Sequence, residues 1–231
     1  MMKPYYSDDH VVIYHGDCRQ ILADLPRADL VLTDPPYGIS YDAAQSKHLW
    51  KSNYGFTAEW DKEAFDPAPV LALDLPTIMW GGNNYASRLP DKGGWVCWIK
   101  INTALAMNAS TCRHADMELA WANCIGRGRV FHHVWTGCSR TGEGQTPSLH
   151  PTQKPIALMK WCIGLVKGVR SVIDPYMGSG STLRAAKDLG LKAIGIELEE
   201  KYCEIAARRM AQQVLPLEPV STAPEQMTIP A

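Results

Sequence analysis

A short apolar run, Ala28-Asp29-Leu30-Val31-Leu32, leads straight into Thr33-Asp34-Pro35-Pro36-Tyr37-Gly38. The run reads as a buried strand. Two consecutive prolines then end it, because neither donates a backbone hydrogen bond and each fixes φ. The chain must leave its sheet stiffly at the carboxyl end of a strand. That edge is where open parallel α/β sheets bind their ligands.

A carboxylate, a proline carbonyl and an aromatic ring are thereby held together with little freedom. Asp34 and the Pro35 carbonyl can each accept one hydrogen, which suits a planar amino group with its two donors. Tyr37 can stack on the flat ring that carries such a group. The same residues also describe a rigid corner whose Asp bonds to nearby backbone, a common use of Asp-Pro pairs. On this stretch alone the two readings stand level.

A second stretch, Asp174-Pro175-Tyr176-Met177-Gly178-Ser179-Gly180-Ser181-Thr182, lies between an apolar strand and a helical pattern. Its glycines let the turn pass close under a ligand, and the helix start presents free amide donors. The following strand ends at Glu197, about twenty residues on, where an acid can accept hydrogen bonds from ribose hydroxyls. The unit reads as a nucleoside-cofactor site. A nicotinamide dinucleotide stays open, although Leu183 stands where the third glycine of G-x-G-x-x-G belongs. A P-loop is excluded, since no Gly-Lys-Ser/Thr follows the glycines.

The 231 residues suffice for one sizeable domain, and 46% hydrophobic with 20% charged residues describes an ordinary soluble protein. No apolar run is long enough to span a membrane. The start, Met1-Met2-Lys3-Pro4-Tyr5-Tyr6, lacks the apolar core of a signal peptide. Seven cysteines without a CxxC pair point to reduced thiols in a cytoplasmic protein and to no metal. The net charge of −1 excludes a uniformly basic surface, so DNA contact would use a local patch.

In order, the patterning predicts a strand at 10–15 and a helix from Asp17 as N-cap to Leu25. The Asp34 strand follows, as a parallel pair with the first through a right-handed crossover. Helices are expected at 67–75 and from an Asn83-Asn84 cap to Leu89, with strands at 76–80, 94–100, 117–122 and 129–135. The last two strands are expected to form an antiparallel edge hairpin. A helix at 154–166, strands at 171–173 and 193–196, and helices at 181–189 and 199–213 complete the chain. Residues 215–231 carry four prolines and no basic residue, and are expected to be disordered.

Taken together, these pieces resemble the DNA amino-methyltransferases that modify adenine N6 or cytosine N4 with S-adenosylmethionine. The matching segments are Thr33-Asp34-Pro35-Pro36-Tyr37, Asp174 to Ser181 and Gly195-Ile196-Glu197. His150-Pro151-Thr152-Gln153-Lys154-Pro155 and Gly16-Asp17-Cys18 match as well. The catalytic motif precedes the cofactor motif, which resembles the permuted β class. Tyr176 and Ser181 depart mildly from the usual Phe and Thr.

The resemblance implies a Rossmann-like α/β methyltransferase fold: a mostly parallel twisted sheet with an antiparallel edge hairpin, helices on both faces, and circularly permuted motifs. It implies one domain over residues 1–214 and a catalytic motif of Asp34, Pro35, Pro36 and Tyr37. Asp17 would contact the cofactor's adenine end and Glu197 its ribose. Lys154 and the turn of Asp174, Tyr176, Gly178, Ser179, Gly180 and Ser181 would hold its methionine end. An Asp at the first motif position is typical of adenine enzymes, whereas cytosine-N4 members usually carry Ser.

The expected partner is double-stranded DNA. Only about residues 136–149 occupy the place of a target-recognition domain, too few for a folded module. Residues 38–66 and 136–149 are therefore the expected DNA-reading loops, helped by a second copy of the chain if it dimerises. A non-catalytic nucleoside-binding DNA regulator on the same fold is the competing reading, and an intact Asp-Pro-Pro-Tyr counts against it.

Overall fold

The computed structural model describes residues 2–39, 61–101, 115–135 and 153–212. The expected DNA-reading loops fall largely on residues 40–60 and 136–152, outside the described residues, as does the expected disordered tail.

One nine-stranded sheet organises the chain. Its strands are β1 (Tyr6–Ser7), β2 (Val11–His15), β3 (Leu30–Thr33), β4 (Thr77–Trp80), β5 (Gly94–Ile99), β6 (Met117–Ala122), β7 (Arg129–His132), β8 (Ser171–Asp174) and β9 (Lys192–Glu197). The order across the sheet is β1-β2-β9-β8-β3-β4-β6-β5-β7. Strands β2, β9, β8, β3 and β4 are mutually parallel, and β6 runs antiparallel between β4 and β5.

The helices are α1 (Cys18–Ile21), α2 (Ala68–Leu71), α3 (Ile156–Gly164), α4 (Ser181–Asp188) and α5 (Glu200–Ala211). Alternation along the strands feeds two cores. Leu30, Leu32, Ile78 and Trp80 pack with Leu158, Met159, Leu183 and Met210 of α3, α4 and α5. Val31, Met79, Ile173 and Ile196 pack with Cys18, Ile21 and Val70 of α1 and α2. Both faces of the central strands are covered, which is why those strands read as unbroken apolar runs.

The structure corrects several expectations. β2 and β3 are parallel, but β9 and β8 stand between them, so the opening strand–helix–strand is not an adjacent pair. The last βαβ unit of the chain fills that gap, as a permuted order requires.

β6 and β7 do not form a hairpin either. β5 lies between them, antiparallel to β6 and parallel to β7. The link at 123–128 steps across the start of β5, and Gly94 makes room for it. A Cβ at Gly94 would come within 2.6 Å of the Ile125 carbonyl oxygen.

The short helices are shorter than periodicity predicts. After Ile21 the chain tightens into a 3-10 turn, Leu22–Asp24. The helix at Ala68 ends early, and Asp74 takes φ +50° shortly after it. Asn83 and Asn84 cap nothing: Gly82–Asn84 is itself a 3-10 turn, and the Asn84 amide donates back to the Gly81 carbonyl at 3.2 Å.

Candidate active site

β3 and β8 are neighbours, so the two motifs emerge side by side at the carboxyl edge of the sheet. A hydrogen bond ties them together: the buried Thr33 hydroxyl donates to Asp174 Oδ1 at 2.7 Å.

On the β3 side, the Asp34 carboxylate accepts from two groups. The Tyr37 hydroxyl donates to Oδ1 at 2.6 Å, and the Lys154 ammonium to Oδ2 at 2.6 Å. The turn itself is held by Asp61, whose Oδ1 accepts the backbone amides of Tyr37 at 2.9 Å and Gly38 at 2.8 Å. The Tyr37 ring packs against Gly81, which has φ +74°. A Cβ there would reach 2.1 Å from Tyr37 Cε1, so only glycine leaves the ring its place.

Lys154 has a second anion. Its Nζ sits 3.0 Å from Glu118 Oε2, and Lys100 Nζ donates to Glu118 Oε1 at 2.7 Å. Lys154 is 5% exposed, so a buried ammonium stands at the centre of a half-buried charge array. Burial opposes the Glu118 charge, but the Lys154 and Lys100 ammonium groups outweigh it and hold that carboxyl down at about 2. For Asp34, burial and the nearby Glu118 charge win over Lys154, and its carboxyl lies above the ordinary range. Burial and the Asp34 charge push the Tyr37 hydroxyl far up, so it stays protonated and donates.

On the β8 side, the turn is fixed by its own amides, which donate to two carboxylates and to main-chain carbonyls. Tyr176 N donates to Asp174 Oδ1 at 3.1 Å, Met177 N to the Ile196 carbonyl at 3.0 Å, and Gly180 N to the Met177 carbonyl at 2.9 Å. Glu197 closes the unit, accepting Gly178 N on Oε2 at 3.0 Å and Glu199 N on Oε1 at 2.8 Å. Arg209 reaches from α5 to the Ser179 carbonyl and the Ser181 hydroxyl, both at 3.3 Å. Gly195 leaves room for the turn: a Cβ there would lie 2.5 Å from Met177 Sδ and 2.7 Å from Leu183 Cδ2. Burial raises the Asp174 carboxyl to about 6 and that of Glu197 to about 7.

A cleft opens between the two sides. Asp34, Gln153, Lys154, Asp174, Tyr176 and Ser179 line it, with Met177, Gly178 and Ser181. Gly180 instead caps α4 and packs toward Ala206, where a Cβ would approach to 3.1 Å. Asp17 caps α1, accepting Arg19 N at 2.9 Å, and its carboxylate pairs with the Arg19 guanidinium. Lys154, expected at the methionine end of a cofactor, places its ammonium on Asp34 and Glu118 while also lining the cleft.

Sequence reasoning missed Glu118, Lys100, Asp61 and Gly81. Glu118 did leave a signal: a carboxylate in the strand Met-Glu-Leu-Ala-Trp-Ala must find partners if that strand is buried. Asp61 left none.

The lining sets the carboxylates of Asp34 and Asp174 against an ammonium that Glu118 already balances. Such a cleft suits a cationic ligand better than a phosphate. A sulfonium fits this lining.

Comparison with known proteins decides the matter. The DNA methylase family of N6 and N4 methyltransferases matches residues 78–208, more than half of the chain. The chain belongs to this family. The match covers the cofactor unit, Glu118 and Lys154, whereas the Asp34 motif precedes it.

The type II methyltransferase M2.DpnII of Streptococcus pneumoniae is 27% identical over 249 residues, spanning 91% of this chain and 93% of that protein. The M1.HpyAVI–SAM complex is 25% identical with a TM-score of 0.53, over 87% of this chain and 100% of that one. The cytosine-N4-specific PvuII DNA methyltransferase shares the fold at a TM-score of 0.64 and 15% identity, over 92% and 90% of the two chains. This DNA methylase thus has the Rossmann-like α/β fold and uses S-adenosylmethionine. Among the described residues no helix is long and apolar enough to cross a membrane, and no group of three or more His, Cys, Asp or Glu is placed to hold a metal ion.

Proposed function

We propose that this methylase transfers the methyl group of S-adenosylmethionine to the exocyclic N6 of an adenine swung out of double-stranded DNA. The observation that carries the reading is the Asp34 carboxylate, rigidly presented to the cleft beside the Asp174–Ser181 turn. The first-position Asp of the motif supports adenine over cytosine.

Bound in the cleft, S-adenosylmethionine supplies an electrophilic methyl group. The protein's task is to make a poor nucleophile competent, because the amine lone pair is delocalised into the ring. Asp34 Oδ2 and the Pro35 carbonyl accept the two amine hydrogens, which pyramidalises the nitrogen and frees the lone pair. Both acceptors also stabilise the positive charge that grows on nitrogen as the N–C bond forms and the S–C bond breaks. The nitrogen then sheds one proton, and Asp34, raised by burial, is placed to receive it.

Tyr37 supplies the stacking face, recovering roughly 1–3 kcal/mol of the extrusion cost of a few kcal/mol. Its ring is kept in place by Gly81 below and by the Asp61 clamp on its backbone. Pro36 keeps the turn stiff. On the donor side, Glu197 takes the ribose, the Asp174–Ser181 turn the methionine end, and Asp17, at the same sheet edge, the adenine end. Residues 38–66 and 136–149 read the DNA, and a second copy of the chain is their natural helper.

Incubation with unmethylated genomic DNA and tritiated S-adenosylmethionine, followed by mass spectrometry of the digested nucleosides, tests this. N6-methyldeoxyadenosine is the expected product. N4-methyldeoxycytidine overturns the base assignment, and no methylated nucleoside overturns the function.

A further inference from the structure

Asp34 is occupied. Tyr37 donates to Oδ1 and Lys154 to Oδ2, each at 2.6 Å. A target amine needs a lone pair on one of those oxygens, and at Oδ2 it competes with the Lys154 ammonium, so withdrawal of that ammonium clears Oδ2 for the base. It cannot withdraw to water, because the side chain is 5% exposed. A buried ammonium left without a counter-charge is strongly disfavoured.

Glu118 solves this problem. Its Oε2 lies 3.0 Å from the same Nζ. Lys100 pins the other oxygen at 2.7 Å, so the carboxylate is a fixed seat rather than a mobile one. The ammonium can move from between two carboxylates onto one of them and remain paired throughout.

We infer that Glu118 is a positioning residue for methyl transfer: it takes over the Lys154 ammonium so that Asp34 Oδ2 is released to the target amine. The inference rests on the reading that Asp34 is the amine acceptor. Glu118 touches neither base nor cofactor in this scheme and acts through Lys154. It also accounts for a half-buried acid on the otherwise apolar strand β6.

The charges around the pair are few. Asp34 faces Lys154, Glu118 and the Tyr37 hydroxyl, with Asp174 and Tyr85 further off. Glu118 faces Lys154 and Lys100. Removing the Glu118 charge leaves Asp34 as the carboxylate on Lys154, whose Nζ also donates to the neutral Tyr37 hydroxyl at 3.1 Å. The amine then competes with an ammonium that has nowhere else to go, and the Asp34 carboxyl becomes more acidic.

The test is Glu118→Gln, which keeps the shape and removes the charge. Single-turnover methylation of unmethylated genomic DNA at saturating S-adenosylmethionine is expected to fall at least about tenfold, with cofactor Kd within about threefold of wild type. Carbon-13 NMR of the free protein, with Asp34→Asn assigning the signal, is expected to show Asp34 titrating at lower pH than in wild type.

The double variant Glu118→Gln/Lys154→Gln is expected to be faster than Glu118→Gln alone, since no ammonium then blocks Oδ2. A merely structural Glu118 predicts a double variant no faster than the single one. Glu118→Asp, which keeps the charge but draws it back from Nζ, serves if the Gln variant does not fold, and should show the same shifts to a smaller degree. An unchanged rate, an Asp34 titration that does not move down, or a double variant no faster than the single one overturns the inference. A wild-type chain that methylates nothing overturns the methylation reading instead, and the titration still decides the pairing.

Discussion

The two sides of the cleft are built by different means. The donor side, residues 174–197, is one continuous βαβ unit fixed by backbone amides, glycines and a closing carboxylate. The acceptor side is a corner of four residues held in place, directly or through a neighbour, by segments far away: Asp61, Gly81, Lys100, Glu118 and Lys154. The donor side shares its load among several main-chain amides, so most single substitutions there leave bonds in place. A charge array fails when one member is lost, because its partners stay buried without compensation. The donor side is thus fixed as a stable site, and the acceptor side is poised as one that can change partners.

The largest break in this comparison is Asp34→Ala. It removes the amine acceptor and leaves the donor side untouched, so transfer is expected to fall at least about a thousandfold. Cofactor Kd, read by isothermal titration calorimetry, should stay within about threefold. Substantial residual transfer would show that the Pro35 carbonyl and stacking suffice, and would remove Asp34 from its role.

Gly195→Ala breaks the other side. The added Cβ would meet Met177 Sδ at 2.5 Å and Leu183 at 2.7 Å, and both side chains are buried. Overpacking of this kind costs about 1–3 kcal/mol, to be read by urea denaturation. Because Met177 belongs to the turn, cofactor affinity should fall about tenfold or more. Transfer at saturating cofactor should stay near wild type, the converse of the Asp34 result.

That contrast also governs how much the sequence revealed. The donor unit was legible as a whole, since its strand, glycines, helix and acid follow one another within two dozen residues and each acts locally. The stiff corner at Asp34–Tyr37 was legible too, because prolines act on their own backbone. Its partners were not. Lys154 was legible as a residue of the cleft but not as a partner of Asp34, since spacing cannot show that the segment before α3 crosses over to β3. Glu118 reaches the site only because β6 sits beside β4 in the sheet, the region where pattern reading expected a β6–β7 hairpin and the chain instead crosses β5 at Gly94. Periodicity finds strands; it does not order them.

The smallest effect is the most discriminating for the donor side. Burial lifts the Glu197 carboxyl from its ordinary range to about 7, although the Gly178 and Glu199 amides favour its ionised form. In the cofactor-free protein this group therefore keeps a proton that the unfolded chain has already lost. Its contribution to stability is complete below about 4.5 and disappears as pH rises through about 7. Cofactor binding should run the other way. The ionised carboxylate is the better acceptor for ribose hydroxyls, and a ligand that favours it must first displace the proton. Between pH 8 and pH 6 the Kd for S-adenosylmethionine is expected to rise about tenfold, while the thermal stability of the free protein does not fall in parallel. Glu197→Gln should bind more weakly at every pH and show no such slope. Asp174, lifted to about 6, titrates at the lower edge of this window, so a slope that survives in Glu197→Gln and is centred near 6 would move the cofactor-linked proton from the strand end to the turn.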